Sequence, residues 1–463
     1  MDSDERTSVA VVSLGCAKNL VDSEVMLGLL EGEGCRLVVE ASEAEVIIVN
    51  TCAFIAEAKA EAVDALLEAA QLKQFGKCRA LLCCGCLPQR HAAELLGELP
   101  EVDGFVGTGS VDKIGLAVQA ALRGERPVLL DPPSFLYSHD TPRVRGEPRW
   151  LAYVKIAEGC DNPCSFCAIP AARGPFRSRP VDSIRREFER LAEEGAQEII
   201  LVAQDTTYYG VDLAGRPLLA DLLRELDATG FGGWIRVLYM HPYRVDEALI
   251  EVVASSSAVV NYFDIPMQHA SARLLAAMGR PERAPANLEL IRRLRQWIPG
   301  AAIRTAFLVG FPGETEGDFA ELLRFVEEAQ IDRLTGFVFS AEEGTPAATM
   351  PEQVPRELAE ERLAELMAAQ EPISLRRNGA LIGTELEALV EAVGPAGAVG
   401  RTYRDAPEVD GEIHLADCAA RPGSFAQAVV ETAEVHDLRG RCVQGWRKEP
   451  RAEAALSARR KAS

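Results

Sequence analysis

Cys160, Cys164 and Cys167 stand in the run Glu158-Gly159-Cys160-Asp161-Asn162-Pro163-Cys164-Ser165-Phe166-Cys167, separated by three residues and then two. A single short loop of this spacing can wrap three corners of a four-iron cubane. A cluster that only passes electrons is usually closed by a fourth thiolate. A structural zinc site wants four ligands, commonly from paired short spacings. Neither a fourth thiol nor a second pair lies nearby in the sequence. An iron left without a protein ligand is an open coordination position, where a cofactor can chelate and react.

A second set, Cys16, Cys52 and Cys86, is scattered in sequence but shares a position. Each opens the loop after a short apolar run, in Ser13-Leu14-Gly15-Cys16, Asn50-Thr51-Cys52 and Cys84-Gly85-Cys86. Residues 9–14, 46–49 and 80–84 read as strands and residues 22–31 and 56–70 as helices, an alternation that predicts a parallel sheet covered by helices. Ligand sites in open α/β sheets lie outside the carboxyl ends of the strands, so these three thiols can converge on a second cluster. Cys84 is the competitor for Cys86, with a direction set by the pleat of its strand. Cys35, Cys78, Cys83, Cys418 and Cys442 read as small buried hydrophobes.

The Cys160 loop also follows a strand. Candidate strands at 151–157, 198–203, 234–239, 259–265, 303–308 and 336–339 alternate with helical patterns such as 181–194 and 316–329. Six such units predict an open, partial (β/α)6 TIM-type barrel with its chemistry at the strand carboxyl ends. A Leu- and Glu-rich helix over 357–371 closes it. Beyond residue 378, short alternating runs at 385–393, 411–415 and 427–435 predict a small β-barrel. The chain is therefore read as α/β and divided into an amino-terminal cluster domain (1–128), a linker rich in proline and charge (129–148), a core (149–375), a β-barrel (376–446) and a basic tail (447–463).

A length of 463 residues exceeds one ordinary hydrophobic core. The net charge of -21 argues against a broad polyanion-binding surface, because sequence-independent affinity for nucleic acid comes from Lys and Arg on phosphates. Residues 379–446 carry eleven Asp or Glu against five Lys or Arg, which favours a basic protein partner over nucleic acid, with Asp405, Glu408 and Asp410 as docking residues. The alternative is that these charges only keep the barrel soluble. The tail, with Arg447, Lys448, Arg451, Arg459, Arg460 and Lys461, is the segment suited to RNA. The polar, acidic opening and the short apolar stretch at 9–14 match neither a signal peptide nor a membrane span. A cytoplasmic location away from the membrane is expected, where reduced cysteines serve as metal ligands more readily than as disulfides.

The first cysteine spacing, placed after the first strand of a β/α domain, resembles the radical S-adenosylmethionine superfamily. With both cysteine sets in view, nearly the whole chain resembles the methylthiotransferases of that class. The matching runs are Ser13-Leu14-Gly15-Cys16-Ala17-Lys18-Asn19-Leu20-Val21-Asp22-Ser23-Glu24, Asn50-Thr51-Cys52, Gly85-Cys86 and Phe307-Leu308-Val309-Gly310-Phe311-Pro312-Gly313-Glu314-Thr315. The resemblance implies two 4Fe-4S clusters, one on Cys16, Cys52 and Cys86 and one on Cys160, Cys164 and Cys167. It also implies S-adenosylmethionine as radical source and methyl donor, and a carboxyl-terminal TRAM barrel. Such chemistry needs a low-potential electron donor such as flavodoxin. Cys164-Ser165-Phe166-Cys167-Ala168-Ile169-Pro170, Arg173-Gly174-Pro175, Ile265-Pro266-Met267-Gln268-His269-Ala270-Ser271 and Asp405-Ala406-Pro407-Glu408-Val409-Asp410-Gly411 resemble the group that modifies an aspartate of ribosomal protein S-twelve at its β-carbon. Ala17 departs from that group, which usually has proline there. The competing readings are a tRNA adenosine methylthiotransferase and, from another class, a non-catalytic iron–sulfur carrier or RNA-binding scaffold.

Four further residues are candidates for the S-adenosylmethionine pocket. Gln204 and Asp205 end the second core strand, with helix capping as the alternative for Asp205. Gly310 and Pro312 sit in a turn from strand to helix that either lines the pocket or is simply a turn. His269 faces the same mouth, although a lone histidine is more often structural. Lys18, Asn19 and Asp22 are candidates for groups that tune the Cys16 cluster, Asn19 alternatively capping its helix.

Overall fold

The strands Val46–Thr51 and Ala80–Gly85 are buried along their whole length, as strands covered on both faces must be. In the computed structural model, which describes residues 6–146, 148–280 and 284–443, they lie side by side in a six-stranded parallel sheet. Its order is Arg36–Leu37, Ser8–Ser13, Val46–Thr51, Ala80–Gly85, Gly104–Gly107 and Val128–Leu129. The three strands that precede Cys16, Cys52 and Cys86 are thus immediate neighbours. Helices Ala17–Gly32, Ala56–Phe75, Cys86–Glu98 and Ile114–Leu122 cover the sheet. Gly104–Gly107 escaped the sequence reading because it is too short to show a period.

The stretch read as a linker is a packed strap. It begins as the sheet's edge strand Val128–Leu129. Tyr137 is buried and accepts the Lys155 amide at 3.0 Å. Arg143, its side chain 2% exposed, pairs with Glu24 of the amino-terminal domain and, at 2.8 Å, with Glu187 of the core. Proline and charge here mark fixed turns and buried ion pairs rather than a free tether.

The core holds six parallel strands in chain order, Leu151–Lys155, Glu198–Val202, Trp234–Val237, Tyr262–Asp264, Ala302–Val309 and Arg333–Val338. A bridge from Ile235 to Val259 joins the two halves of this open arc. The closing helix runs over Arg356–Gly379, well past the predicted end, and carries Pro372 inside it.

Glu385–Gly394, Gly397–Thr402, Ile413–Ala416, Phe425–Ala433 and Leu438–Cys442 close into a five-stranded barrel around Leu386, Val390, Ile413, Leu415 and Val430. The barrel is bolted to the amino ends of the core strands. Arg236 and Arg401 clamp Glu198 from either side, each at 2.6 Å. Trp234 donates to Glu387 at 2.9 Å and packs edge-on against Phe425.

This contact overturns the docking expectation for two residues. Asp405 is 2% exposed and held by Arg333 at 2.5 Å. Asp410 accepts the Tyr262 hydroxyl at 2.6 Å and lies 3.4 Å from Arg304. Their charges neutralise core arginines, so only Glu408 of the three faces solvent. A second correction concerns Cys418 and Cys442, which form a disulfide with Cα atoms 5.2 Å apart. The two residues are 24 apart in sequence, and only the parallel pairing of Ile413–Ala416 with Leu438–Cys442 brings them together. The basic tail lies outside the described residues. Among the described residues no helix is long and apolar enough to cross a membrane.

Candidate metal centres

Cys16 caps the helix Ala17–Gly32 and Cys86 begins the helix Cys86–Glu98, so two of the three amino-terminal thiols sit at helix amino ends, where the dipole favours negative charge. Two glycines make the approach possible. A Cβ on Gly15, at φ +88°, would lie 2.7 Å from Cβ of Cys52. A Cβ on Gly85, at φ +95°, would meet the Asn50 side chain and lie 2.7 Å from the Thr51 carbonyl. Asn19 binds the loops together by donating to the Leu14 and Thr51 carbonyls, at 3.0 Å each. Its Oδ1 faces Sγ of Cys86 at 3.8 Å. Asn19 therefore acts on the cysteine loops rather than as a helix cap. Cys84 packs into the hydrophobic core with Val46 and Leu82, whereas Sγ of Cys86 lies against Asn19, the residue that ties the Leu14 and Thr51 loops together.

The three thiols are electrostatically unequal. Burial pushes Cys52 up to about 11 and also raises Cys86 despite Arg173. At Cys16 burial works the same way, but the charges of Lys18 and Arg173 outweigh it and hold the thiol below its ordinary value. Lys18 is 7% exposed, with its ammonium 3.4 Å from the Tyr239 ring centroid.

The loop at 160–167 is pinned from three sides. The Cys160 amide donates to the Gly174 carbonyl at 3.1 Å and the Ser165 amide to Met278 at 3.0 Å. Asn162 is held between Asp205 at 2.8 Å and Arg244 at 3.0 Å. Burial raises Cys160 and pushes Cys167 up to about 12.

A buried ionic network spans the space between the two triads. Lys155 pairs with Asp22 and, at 2.6 Å, with Glu158; Arg173 pairs with Asp22 at 2.6 Å, with Glu158 at 3.2 Å and with Oδ1 of Asn19. Gln204 extends it, donating to Glu158 at 2.7 Å while its own Oε1 is buried without a hydrogen-bond partner. Lys155 was missed in the sequence because nothing in one strand end announces Asp22, 133 residues away, and Glu158 because its place among Lys155, Arg173 and Gln204 is set only by folding.

The remaining candidates sit as follows. The Asp205 carboxylate is fully engaged, by Tyr208 N, the Thr207 hydroxyl, Asn162 and Arg244. It caps the short helix Thr206–Tyr208 and orients the cysteine loop. The amides of Gly310 and Phe311 are taken by Glu314, and a Cβ on Gly310 would strike Ala359. Pro312 is buried in that self-contained turn. His269 is fully buried, its Nδ1 accepting the Ser271 amide, and burial holds it down at about 4.

The donor sets fit iron–sulfur clusters better than single ions. Each offers three thiols and no fourth. Among the described residues, only His91, Glu94 and Glu343 bring three ligand atoms within 4.8 Å of one another. The cysteine triads are more open than that, as ligands at separate corners of a cubane must be. The orphaned Oε1 of Gln204 beside Glu158 is a polar atom available to a bound molecule.

Residues 8–107 match the uncharacterized protein family UPF0004, residues 154–326 the radical SAM superfamily and residues 382–443 the TRAM domain. The chain is 47% identical to the ribosomal protein uS12 methylthiotransferase RimO of Pelotomaculum thermopropionicum, over 94% of this chain and 99% of that one. It is 48% identical to the protein of the same name from Desulforudis audaxviator, over 94% and 97%. Among solved structures it is similar in fold to the radical S-adenosylmethionine methyltransferase TsrM of Kitasatospora setae, with a TM-score of 0.52 and 16% identity over 72% of this chain and 75% of that one.

Proposed function

The chain belongs to the ribosomal protein uS12 methylthiotransferase family, and from that premise we propose that it methylthiolates the β-carbon of an aspartate on small-subunit ribosomal protein S-twelve in the cytoplasm. Cys160, Cys164 and Cys167 would hold the cluster that takes S-adenosylmethionine on its open iron, and Cys16, Cys52 and Cys86 a second 4Fe-4S cluster. When bound, these groups supply one-electron cleavage of a sulfonium and delivery of sulfur and methyl, which side chains cannot do.

The rest falls to the chain itself. Asn162, fixed by Asp205 and Arg244, holds the Cys160 loop in register. Glu158 orients Gln204, leaving Oε1 as an acceptor toward the strand ends. Lys18 and Arg173 offset negative charge at the amino-terminal triad in a space that burial keeps dry. The observation that carries the reading is that two three-thiol sites, each at the carboxyl ends of parallel strands, are joined through the single network of Asn19, Arg173 and Glu158.

Anaerobic reconstitution, reduction by dithionite or a flavodoxin, and mass spectrometry of ribosomal protein S-twelve and of tRNA test it. The protein should gain a methylthio group on aspartate and tRNA should not. Cys164→Ala should abolish cleavage of S-adenosylmethionine to 5′-deoxyadenosine, whereas Cys86→Ala should keep cleavage and lose methylthio transfer. Wild-type cleavage by Cys164→Ala would refute the core assignment, and product formed on tRNA would replace the substrate.

A further inference from the structure

The dipeptide Arg173-Gly174 touches both cysteine sites at once. It ends the short helix Ile169–Arg173, which leaves the core just after Cys167. The Gly174 carbonyl accepts the Cys160 amide at 3.1 Å, so the backbone belongs to the core site. The side chain goes the other way. The Arg173 guanidinium, 2% exposed, reaches across the domain boundary to Asn19 and Asp22 of the amino-terminal domain. The helix itself is embedded there: Ala172 packs within the amino-terminal hydrophobic core beside Cys86 and Leu87, and its carbonyl accepts the Thr108 hydroxyl.

We propose that Arg173 is a positioning residue through which the radical core completes the amino-terminal three-cysteine site, supplying a fixed positive charge to that cluster and holding its loops through Asn19. The inference rests on the two-cluster reading above. Among the described residues Asn19 is the only side chain that bonds both the Leu14 and Thr51 carbonyls while facing Cys86, and its Oδ1 is oriented by Arg173. The guanidinium reaches Asp22 at 2.6 Å and also Oδ1 of Asn19, the atom that faces Sγ of Cys86 at 3.8 Å. Among the described residues the ion pairs of Lys155 are with Asp22 and Glu158. A fixed cation beside a cluster stabilises its more negative, reduced form, so removing it should make the cluster harder to reduce.

The test uses the full chain carrying Cys160→Ala, Cys164→Ala and Cys167→Ala, reconstituted so that only the amino-terminal cluster remains, with its potential followed by electron paramagnetic resonance during a redox titration. Arg173→Gln should shift the midpoint to lower potential and alter the signal. Arg173→Lys, which keeps the buried charge and with it the fold, should restore the potential toward the parent. In the reciprocal background, Cys16→Ala with Cys52→Ala and Cys86→Ala, Arg173→Gln should shift the remaining cluster by clearly less than it shifts the amino-terminal one. An unchanged midpoint in Arg173→Gln, a Lys variant that folds but shifts as far as Gln, or an equal shift of both clusters would each overturn the inference. Failure of the parent background to bind any cluster would instead overturn the two-cluster reading, and this inference with it.

Discussion

Glu314 shows how a single side chain can be read for pH. It is buried in the turn after Ala302–Val309, where one carboxylate oxygen takes the amides of Gly310 and Phe311. Burial raises it to about 7, against the pull of Arg362. A carboxyl raised on folding contributes stability that is complete below its unfolded value, near 4.5, and is lost as pH rises through about 7. Wild type should therefore lose stability relative to Glu314→Gln across that window and run parallel to it above. Thermal melts of both proteins in matched buffers measure this, and parallel curves throughout would refute it. The sequence marked this turn as a candidate cofactor lining, but the hydrogen bonds of its amides are internal. A glycine motif shows that the backbone must turn, not who receives its donors.

The strand-to-helix junctions set the cysteine geometry. Gly85 joins Ala80–Gly85 to Cys86–Glu98 at φ +95°, ψ -144°, a region that costs an L-residue about 1–3 kcal/mol, before the contact with the Thr51 carbonyl is added. Gly85→Ala should therefore displace Cys86 and lower bound iron by about half of the two proposed clusters, while 5′-deoxyadenosine is still formed. Full iron content in that variant would show that the junction tolerates a side chain. These junctions were legible in advance, because Cys16, Cys52 and Cys86 each follow a short apolar run. The edge strand Val128–Leu129 and the strap beyond it were not. Arg143 looks like one charge among many until folding sets it between Glu24 and Glu187.

For the molecule as a whole, the barrel is an integral cap on the amino ends of the core strands. Asp405→Lys would leave the buried Arg333 facing a second cation. Breaking a buried pair costs about 3–5 kcal/mol, so this variant should expose the barrel junction to limited proteolysis. Glu408→Lys, at an exposed position, should shift stability by no more than about 0.5 kcal/mol. Equal resistance of the two variants would return Asp405 to the surface role that charge counting assigned it.

The candidate cysteine triads, the parallel α/β arrangement and the terminal barrel were legible in the sequence alone, because spacing and hydrophobic period are local properties of the chain. What only the tertiary structure decided is which charges are spent inside. Asp22, Lys155, Glu158 and Arg173 meet across two domains, Asp405 and Asp410 turn inward, and Cys418 finds Cys442. Burial and long-range partners set the energy of a charge or a thiol, and neither is written in the residues beside it.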